Sequence, residues 1–197
     1  MYLNIFFKSI ILSFIVAPLV QKAFLIYKKY DPINHRSSHS VVATRTGGIT
    51  SFIVIFFISL YFYLLGTEIY DYSLLVPIGT IFVVGVYDDF YNADFKLKFL
   101  FQIIVAKMLI DQGLVIDNFY GIFDLHEIPR IGSQLFTIFV YIIIVNSINF
   151  IDGVDGLAIL EIIKIILIFI FFTNQDPSLN LLGIITLGSI LPLYYFN

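Results

Sequence analysis

The chain has 197 residues, of which 59% are hydrophobic and 13% are charged, with a net charge of −3 and a mean hydropathy of +0.96. Soluble domains carry about 25% charged residues, so this composition excludes a water-exposed globular surface and places the chain in a lipid bilayer. The lack of cysteine excludes disulfides, thiolate nucleophiles and cysteine-ligated zinc, and the acidic net charge argues against nucleic acid as a partner.

Apolar stretches long enough to cross a membrane recur along the whole chain. A membrane-spanning helix needs about 20 apolar residues, with a range of about 17–25. This length predicts an all-α, polytopic transmembrane helix bundle of about seven spans: Leu3–Val20, Gly48–Leu65, Tyr72–Tyr87, Leu97–Ile116, Ser133–Ile148, Leu157–Phe172 and Leu179–Tyr195. Because no linker or repeat divides the chain, we expect a single transmembrane domain over residues 1–197.

Basic residues in the short connections predict the orientation of these spans. The connection 21–47 holds five Lys or Arg residues, whereas the connection 66–71 holds two acidic residues and no basic one. This asymmetry predicts that the N-terminus lies outside and that three polar loops lie in the cytoplasm: Tyr30–Gly47, Asp88–Lys98 and Asn149–Gly156. Since these loops are also the richest in polar side chains, we expect one composite cytoplasmic site.

Two pairs of opposite charges fall inside predicted spans. Lys107 and Asp111 are spaced i,i+4, and Glu161 and Lys164 are spaced i,i+3. Both spacings bring the side chains to one helix face, so we predict ion pairs that lower the cost of burying the charges. A direct functional role is the alternative.

Asp88 and Asp89 directly follow the third predicted span. Adjacent carboxylates repel each other, so their presence at a helix end indicates a cation that holds them. Mg²⁺ suits such a pair, because it keeps several waters and is bound by one or two carboxylates together with substrate phosphates. We therefore predict a metal-binding or catalytic role, with a solvated acid pair at the start of a loop as the alternative.

Four polar side chains recur at every third position near the end of the fifth span: Asn146, Asn149, Asp152 and Asp155. On a straight helix the set would drift by about 60° per step. Gly153 and Gly156 provide a break that could turn the two aspartates towards a common point. Helix capping explains one or two of these side chains but not four, because polar groups between apolar spans are costly without partners.

The first polar loop combines histidine, arginine and hydroxyl side chains, among them His39 and Arg45. These groups can bind phosphate oxygens, and arginine can do so with two parallel hydrogen bonds. Gly47 and Gly48 allow close backbone approach before a helix whose amide groups favour anions. The alternative is a basic loop that only sets topology and contacts anionic lipid.

In this order, the three motifs resemble the polyprenyl-phosphate N-acetylhexosamine-1-phosphate transferases. The pattern D-x-P-x-x-R-x-x-H, then P-x-P-R-x-G-G, is similar to Asp31–Gly48 except at its prolines. The pattern G-x-x-D-D, with later K and Q, matches Gly85, Asp88, Asp89, Lys98 and Gln102. The pattern N-x-x-N-x-x-D-G-x-D-G-L-A matches Asn146–Ala158 at every fixed position.

The resemblance implies transfer of a sugar 1-phosphate from a UDP-linked N-acetyl sugar to undecaprenyl phosphate in the bacterial inner membrane, with release of UMP. It implies Mg²⁺, or Mn²⁺, as the cofactor, and it leaves a homodimer open. The catalytic residues would be Asp88, Asp89, Asp152 and Asp155, and the metal ligands Asp88, Asp89 and Asn149. Substrate and nucleotide would contact Asn146, Asn149, Gly153, His39, Arg45 and Lys98. The loop Arg36–His39 favours the branch that initiates O-antigen or capsule synthesis.

Members of this family continue past the length of this chain with a G-D-x-G-S motif and further spans. We therefore expect an N-terminal part of a longer domain, with an inactive or incomplete fragment as the alternative to an active transferase. An intramembrane prenyltransferase would need D-x-x-x-D sets in both loops, and these fit poorly here. A transporter would place its polar groups at mid-bilayer in broken helices, whereas here they lie at span ends.

Overall fold

The computed structural model describes residues 1–27, 46–151, 157–173 and 175–196. In these ranges the chain forms helices and no strand beyond an isolated bridge between Asn118 and Glu127. The helices are α1 (Tyr2–Ile26), α2 (Gly47–Leu64), α3 (Leu75–Tyr91), α4 (Phe95–Asp111), α5 (Arg130–Ile151), α6 (Leu157–Phe172), α7 (Pro177–Ile190) and the short α8 (Leu193–Phe196). The predicted all-α fold is confirmed.

Each of the seven predicted spans corresponds to one of the helices α1 to α7. Five stretches of the described chain are long and apolar enough to cross a membrane: Tyr2–Ile26, Gly47–Leu64, Tyr72–Tyr91, Arg130–Ile151 and Pro177–Phe196. Helices α4 and α6 have 17 and 16 residues, at the lower limit of a straight span. The multi-pass character is confirmed, and the outside location of the N-terminus stays a prediction.

Backbone contacts divide the chain into two compact units, and the single domain expected over residues 1–197 stays a prediction. The first unit comprises Met1–Tyr72 and Ile151–Asn197, and therefore includes α1, α2, α6 and α7. The second unit comprises Ser73–Phe150, and therefore includes α3, α4 and α5.

Helix α7 is the centre of the first unit, where it packs against α1, α2 and α6. Small residues let α1 and α7 approach closely, as is typical of helix contacts in membranes. Ser13 donates a hydrogen bond to the backbone oxygen of Ser189 at 2.6 Å. A Cβ atom on Gly188 would lie 2.8 Å from the Cβ of Ser9 and 2.9 Å from the backbone oxygen of Phe6, so the contact leaves no room for a side chain.

In the second unit α3 packs along α4, and the connection to α5 is fixed by two side chains at the start of α5. Ser133 donates to the backbone oxygen of Ile116 at 2.8 Å, and the Thr137 hydroxyl accepts from the amide of Ile116 at 2.9 Å. Ser133 is the one buried residue of α5. His126 lies exposed in this connection.

The predicted polar loop Asp88–Lys98 is wrong, because both of its ends are helical. Helix α3 continues to Tyr91 and α4 begins at Phe95, which leaves a connection of three residues, 92–94. Asn92 ends α3 in the left-handed conformation with φ 50°, and Asp94 caps α4 by accepting from the Lys96 amide. The length of an apolar stretch indicates how much of a helix lies in lipid. Backbone hydrogen bonds can continue the same helix through polar residues beyond the lipid.

The same extension affects the end of α5, which runs to Ile151 rather than to the predicted Ile148. Asn149, predicted in a loop, is therefore helical. The two ion pairs predicted inside spans are both present, between Lys107 and Asp111 and between Lys164 and Glu161.

Candidate functional site

The hairpin of α3 and α4 brings Asp88 together with Lys98. Asp88 lies in the last turn of α3 and Lys98 in the first turn of α4, and the distance between Lys98 Nζ and Asp88 Oδ2 is 2.7 Å. This is the length of a charge-assisted hydrogen bond. The side chains remain 33% and 25% exposed for Lys98 and Asp88, so both can reach a ligand as well as each other.

The position of these charges is unfavourable for the helices themselves. The C-terminus of a helix carries a partial negative charge and the N-terminus a partial positive one. Asp88 and Asp89 lie at the C-terminal end of α3, and Lys98 lies at the N-terminal end of α4, so each charge meets a dipole end of its own sign. Helix stability therefore does not explain these residues.

A second contact joins α4 to α5. Asn146 Nδ2 donates to Gln102 Oε1 at 2.9 Å and to the backbone oxygen of Ile142 at 2.8 Å. A carbonyl oxygen can only accept, so the contact with Ile142 identifies the amide nitrogen of Asn146. Gln102 is buried, with 7% of its surface exposed. Lys98 and Gln102 are spaced i,i+4 and therefore lie on one face of α4.

The structure thus brings Asp88 to Lys98 and Asn146 to Gln102 in the same part of the second unit. Asp89 is partly buried beside Asp88, and Asn149 is exposed near the end of α5. In the sequence, Gln102 was identified only as a match to the family pattern, and no role was predicted for it. Its i,i+4 spacing from Lys98 was the signal that could have identified it.

Five predicted site residues lie outside the residues that the structure describes: His39, Arg45, Asp152, Gly153 and Asp155. Their roles stay predictions.

The predicted magnesium site depends on the oxygen donors that the described residues offer. No group of three or more His, Asp or Glu side chains able to hold a metal ion occurs in the described ranges. Asp88 and Asp89 offer two carboxylates, which fits a Mg²⁺ ion that takes its remaining ligands from water and phosphate. The described residues do not supply enough ligands to enclose a metal ion without water or substrate.

Comparison with known proteins places this arrangement in a family. The family model of glycosyl transferase family 4 matches residues 72–197, which include α3 to α7 and therefore both side-chain contacts described above. The chain belongs to this family. The resemblance noted in the sequence is confirmed at this level.

A relative in Bacillus subtilis (strain 168) is named as a probable undecaprenyl-phosphate N-acetylglucosaminyl 1-phosphate transferase. It is 30% identical over 118 residues, which cover 58% of this chain and 32% of that protein. The chain therefore matches about a third of the length of this relative.

Proposed function

We propose that this family 4 protein transfers an N-acetylhexosamine 1-phosphate from a UDP-sugar to undecaprenyl phosphate. The observation that carries the proposal is the ion pair of Lys98 and Asp88, beside Asp89, at the end of an apolar helix inside the matched segment. The name of the Bacillus relative, which contains both a polyprenyl phosphate and a sugar 1-phosphate, supports these substrates.

In the proposed reaction an oxygen of the lipid phosphate bonds to the β-phosphorus of the UDP-sugar. The bond between this phosphorus and the bridging oxygen breaks, and UMP leaves with the electron pair. Phosphoryl transfer depends on positioning and charge neutralisation more than on covalent chemistry. Lys98 is positively charged and exposed enough to contact phosphate oxygens. Asp88, which forms an ion pair with Lys98, would lie close to the same phosphate group.

Asp88 is better suited to position the reactants than to remove a proton from the lipid. A phosphate monoester loses its second proton with a pKa of about 6, so the lipid phosphate is largely dianionic at neutral pH without a base. We therefore propose that Asp88 and Asp89, with Asn149, hold Mg²⁺ or Mn²⁺ when substrate is bound. The cation would neutralise charge on the diphosphate. Removal of divalent cations with a chelator should then abolish transfer, and added Mg²⁺ should restore it.

The remaining predicted residues complete the proposed site. Arg45 and His39 would bind phosphate groups, and Asp152, Gly153 and Asp155 would line the nucleotide. The site would face the cytoplasm of a bacterial inner membrane, and the product would start an O-antigen, a capsule or another envelope glycan.

The test is transfer of label from UDP-N-acetylglucosamine, marked on its β-phosphate, into lipid by membranes that contain this chain. Undecaprenyl phosphate and Mg²⁺ are added, and Asp88→Asn and Asp152→Asn are assayed beside the parent. Asp94→Asn is the control, because asparagine also caps a helix and this residue lies close to Asp88 in the chain. We expect transfer by the parent and the control, and none by the other two variants.

Because the chain matches a third of its relative, the assay is repeated with the C-terminal part of that relative supplied. Transfer that needs this addition, and that Asp88→Asn abolishes, would assign the activity to the completed protein. The proposal is overturned if neither form transfers label from any of several UDP-N-acetyl sugars.

A further inference from the structure

Two polar residues on one face of α4 contact residues of two other helices. Lys98 contacts Asp88 of α3, and Gln102, one turn further along, accepts a hydrogen bond from Asn146 of α5. The helix therefore connects a residue proposed to position phosphate with one proposed to contact the nucleotide. This inference rests on the proposed function.

The end of α5 that bears Asn146 is weakly anchored by packing. Its one buried residue, Ser133, lies near the start of the helix, about 20 Å from Asn146 along the helix axis. Apolar packing between helices gains little in lipid, because the lipid tails are as apolar as the side chains, whereas hydrogen bonds between helices do contribute. The hydrogen bond to Gln102 therefore has an important share in placing this end of α5 against α4.

The same bond fixes the orientation of the Asn146 amide. Its nitrogen has two protons, and the two acceptors that it meets are Gln102 Oε1 and the backbone oxygen of Ile142. Because both protons are used, the amide group cannot rotate by 180° without losing a hydrogen bond. Its oxygen therefore points away from both acceptors and can accept a hydrogen bond from a ligand. Without Gln102 one proton loses its partner, and the two orientations of the amide become closer in energy.

We propose that Gln102 is a positioning residue, which orients Asn146 towards the nucleotide sugar without touching the substrate itself. Gln102→Met keeps the length of the side chain and removes the acceptor. We expect it to lower kcat/KM for the UDP-sugar about tenfold, the effect of one such hydrogen bond between membrane helices. The KM for undecaprenyl phosphate should not change, because the contact between Lys98 and Asp88 is retained.

The matched control is Gln112→Met, at the other end of α4. Gln112 also donates a hydrogen bond, to the backbone oxygen of Ser73 at 3.0 Å, so the control makes the same change and also removes one hydrogen bond. It should leave the kinetics for both substrates unchanged. Equal losses for both substrates in Gln102→Met, or the same loss in the control, would indicate a general structural role and overturn the proposal.

A reciprocal exchange provides a rescue. The double variant Gln102→Asn, Asn146→Gln moves one methylene group from α4 to α5 and keeps a donor opposite an acceptor. It should use the UDP-sugar better than either single variant does. A double variant no better than the single variants Gln102→Asn and Asn146→Gln would contradict the inference.

The position of α5 can be measured without activity. The chain has no cysteine, so spin labels can be placed on cysteines introduced at the exposed residues Leu100 of α4 and Ile144 of α5. Gln102→Met should broaden the distance distribution, and Gln112→Met should not. An unchanged distribution overturns the positioning role even if the protein is a transferase. Absence of transfer both by the parent alone and by the supplemented form overturns the proposed function, and the distance measurement then still decides whether Gln102 holds α5.

Discussion

The contact between Lys98 and Asp88 is partly open to water, and this determines what it can contribute. Ion pairs at such exposure add about 0–1 kcal/mol to stability, because water screens the charges and two side chains must be ordered. Loss of Lys98 should therefore leave the fold nearly unchanged. Its positive charge, in contrast, lies within hydrogen-bond distance of the Asp88 carboxylate.

We predict that Lys98→Met reduces transfer of sugar phosphate by at least about a hundredfold, since a charge that meets phosphate is lost. Its thermal unfolding temperature in detergent should stay close to that of the parent. Lys96→Met is the control, because Lys96 is an exposed residue in the same turn of α4. Unchanged activity in Lys98→Met, measured with both substrates saturating and limiting, would remove Lys98 from the site.

Tyr70 is a buried polar residue in the connection between α2 and α3, with 1% of its surface exposed. Its hydroxyl lies in hydrogen-bond contact with that of Ser59, which donates to the backbone oxygen of Ile55 at 2.6 Å. Because Ser59 has a single proton, Tyr70 is the donor in their shared bond. Burial raises the pKa of Tyr70 to about 12.

We predict that Tyr70 stays neutral in the folded protein when ordinary tyrosines ionise near pH 10. A raised pKa favours the protonated form in the fold, so this stabilisation is complete below pH 10 and is lost as the pH rises towards 12. Absorbance titration at about 295 nm should show one tyrosine fewer ionising near pH 12 in Tyr70→Phe than in the parent. A difference that falls near pH 10 instead would mean that Tyr70 is exposed.

At the scale of elements, α7 unites the first unit through small residues. Gly188 contacts α1, and Gly183 contacts α6, where an added Cβ would lie 2.9 Å from a side-chain carbon of Ile170. Asn180, which is buried, donates to the backbone oxygen of Ile170 at 2.8 Å and so joins α7 to α6. Close backbone approach and polar contacts between helices hold these helices together, beside a small apolar cluster of Ile166, Leu187 and Ile190.

We predict that Gly188→Ala destabilises the protein by about 1–3 kcal/mol, because the new methyl group would overlap the backbone of α1. Gly85→Ala is the matched control, since this glycine lies within α3 and has open space where a Cβ would stand. Alanine favours a helix more than glycine does, so the control should be neutral or slightly stabilised. The measurement is the midpoint of unfolding in mixed detergent, and equal midpoints would contradict the close contact of α1 and α7.

The order of the helices α1 to α7 could be predicted from the sequence, because each contains an apolar stretch close to the length of a membrane span. The ends of α3 and α5 could not, because Asp88, Asp89 and Asn149 are compatible with a helix that continues into water. The contact of Gly188 with α1 was also hidden, since small residues show that a close approach is possible but not which helix makes it.

The candidate site was predicted in part. The carboxylate pair was identified from its position after a span, and its partner Lys98 from a family pattern, yet neither indicated the ion pair between them. Asn146 was predicted as one member of a three-residue repeat, in which all members looked alike. The structure separates them by their surroundings, since Asn146 faces Gln102 and Asn149 is exposed.

At the scale of the whole molecule, the family match begins at Tyr72 and so includes all of the second unit, α6 and α7, whereas α1 and α2 precede it. The proposed site requires that the C-terminal ends of α3 and α5 face the cytoplasm. The distribution of basic residues predicts this orientation, and labelling can test it.

We predict that a cysteine introduced at Tyr120, between α4 and α5, reacts with a membrane-impermeant maleimide from outside in spheroplasts. A cysteine introduced at Tyr91, at the end of α3, should react only after the membrane is opened. Both residues are exposed, and the chain has no cysteine of its own to react in the background. The reverse pattern would invert the topology and place the proposed site on the wrong side for a UDP-sugar.

The central place of α7 also has a consequence for how the protein is made. Helix α1 packs against α7, although about 150 residues separate them in the chain. At a synthesis rate of about 5–20 residues per second, α1 emerges roughly 8–30 s before its partner. During this interval Ser9 can satisfy its hydroxyl on the backbone oxygen of Ile5, but the acceptor of Ser13 in the finished fold, the backbone oxygen of Ser189, has not yet been synthesised. The first unit can therefore close only after α7 has been synthesised, and until then α1 exposes to lipid, or to the insertion machinery, the surface that later packs against α7.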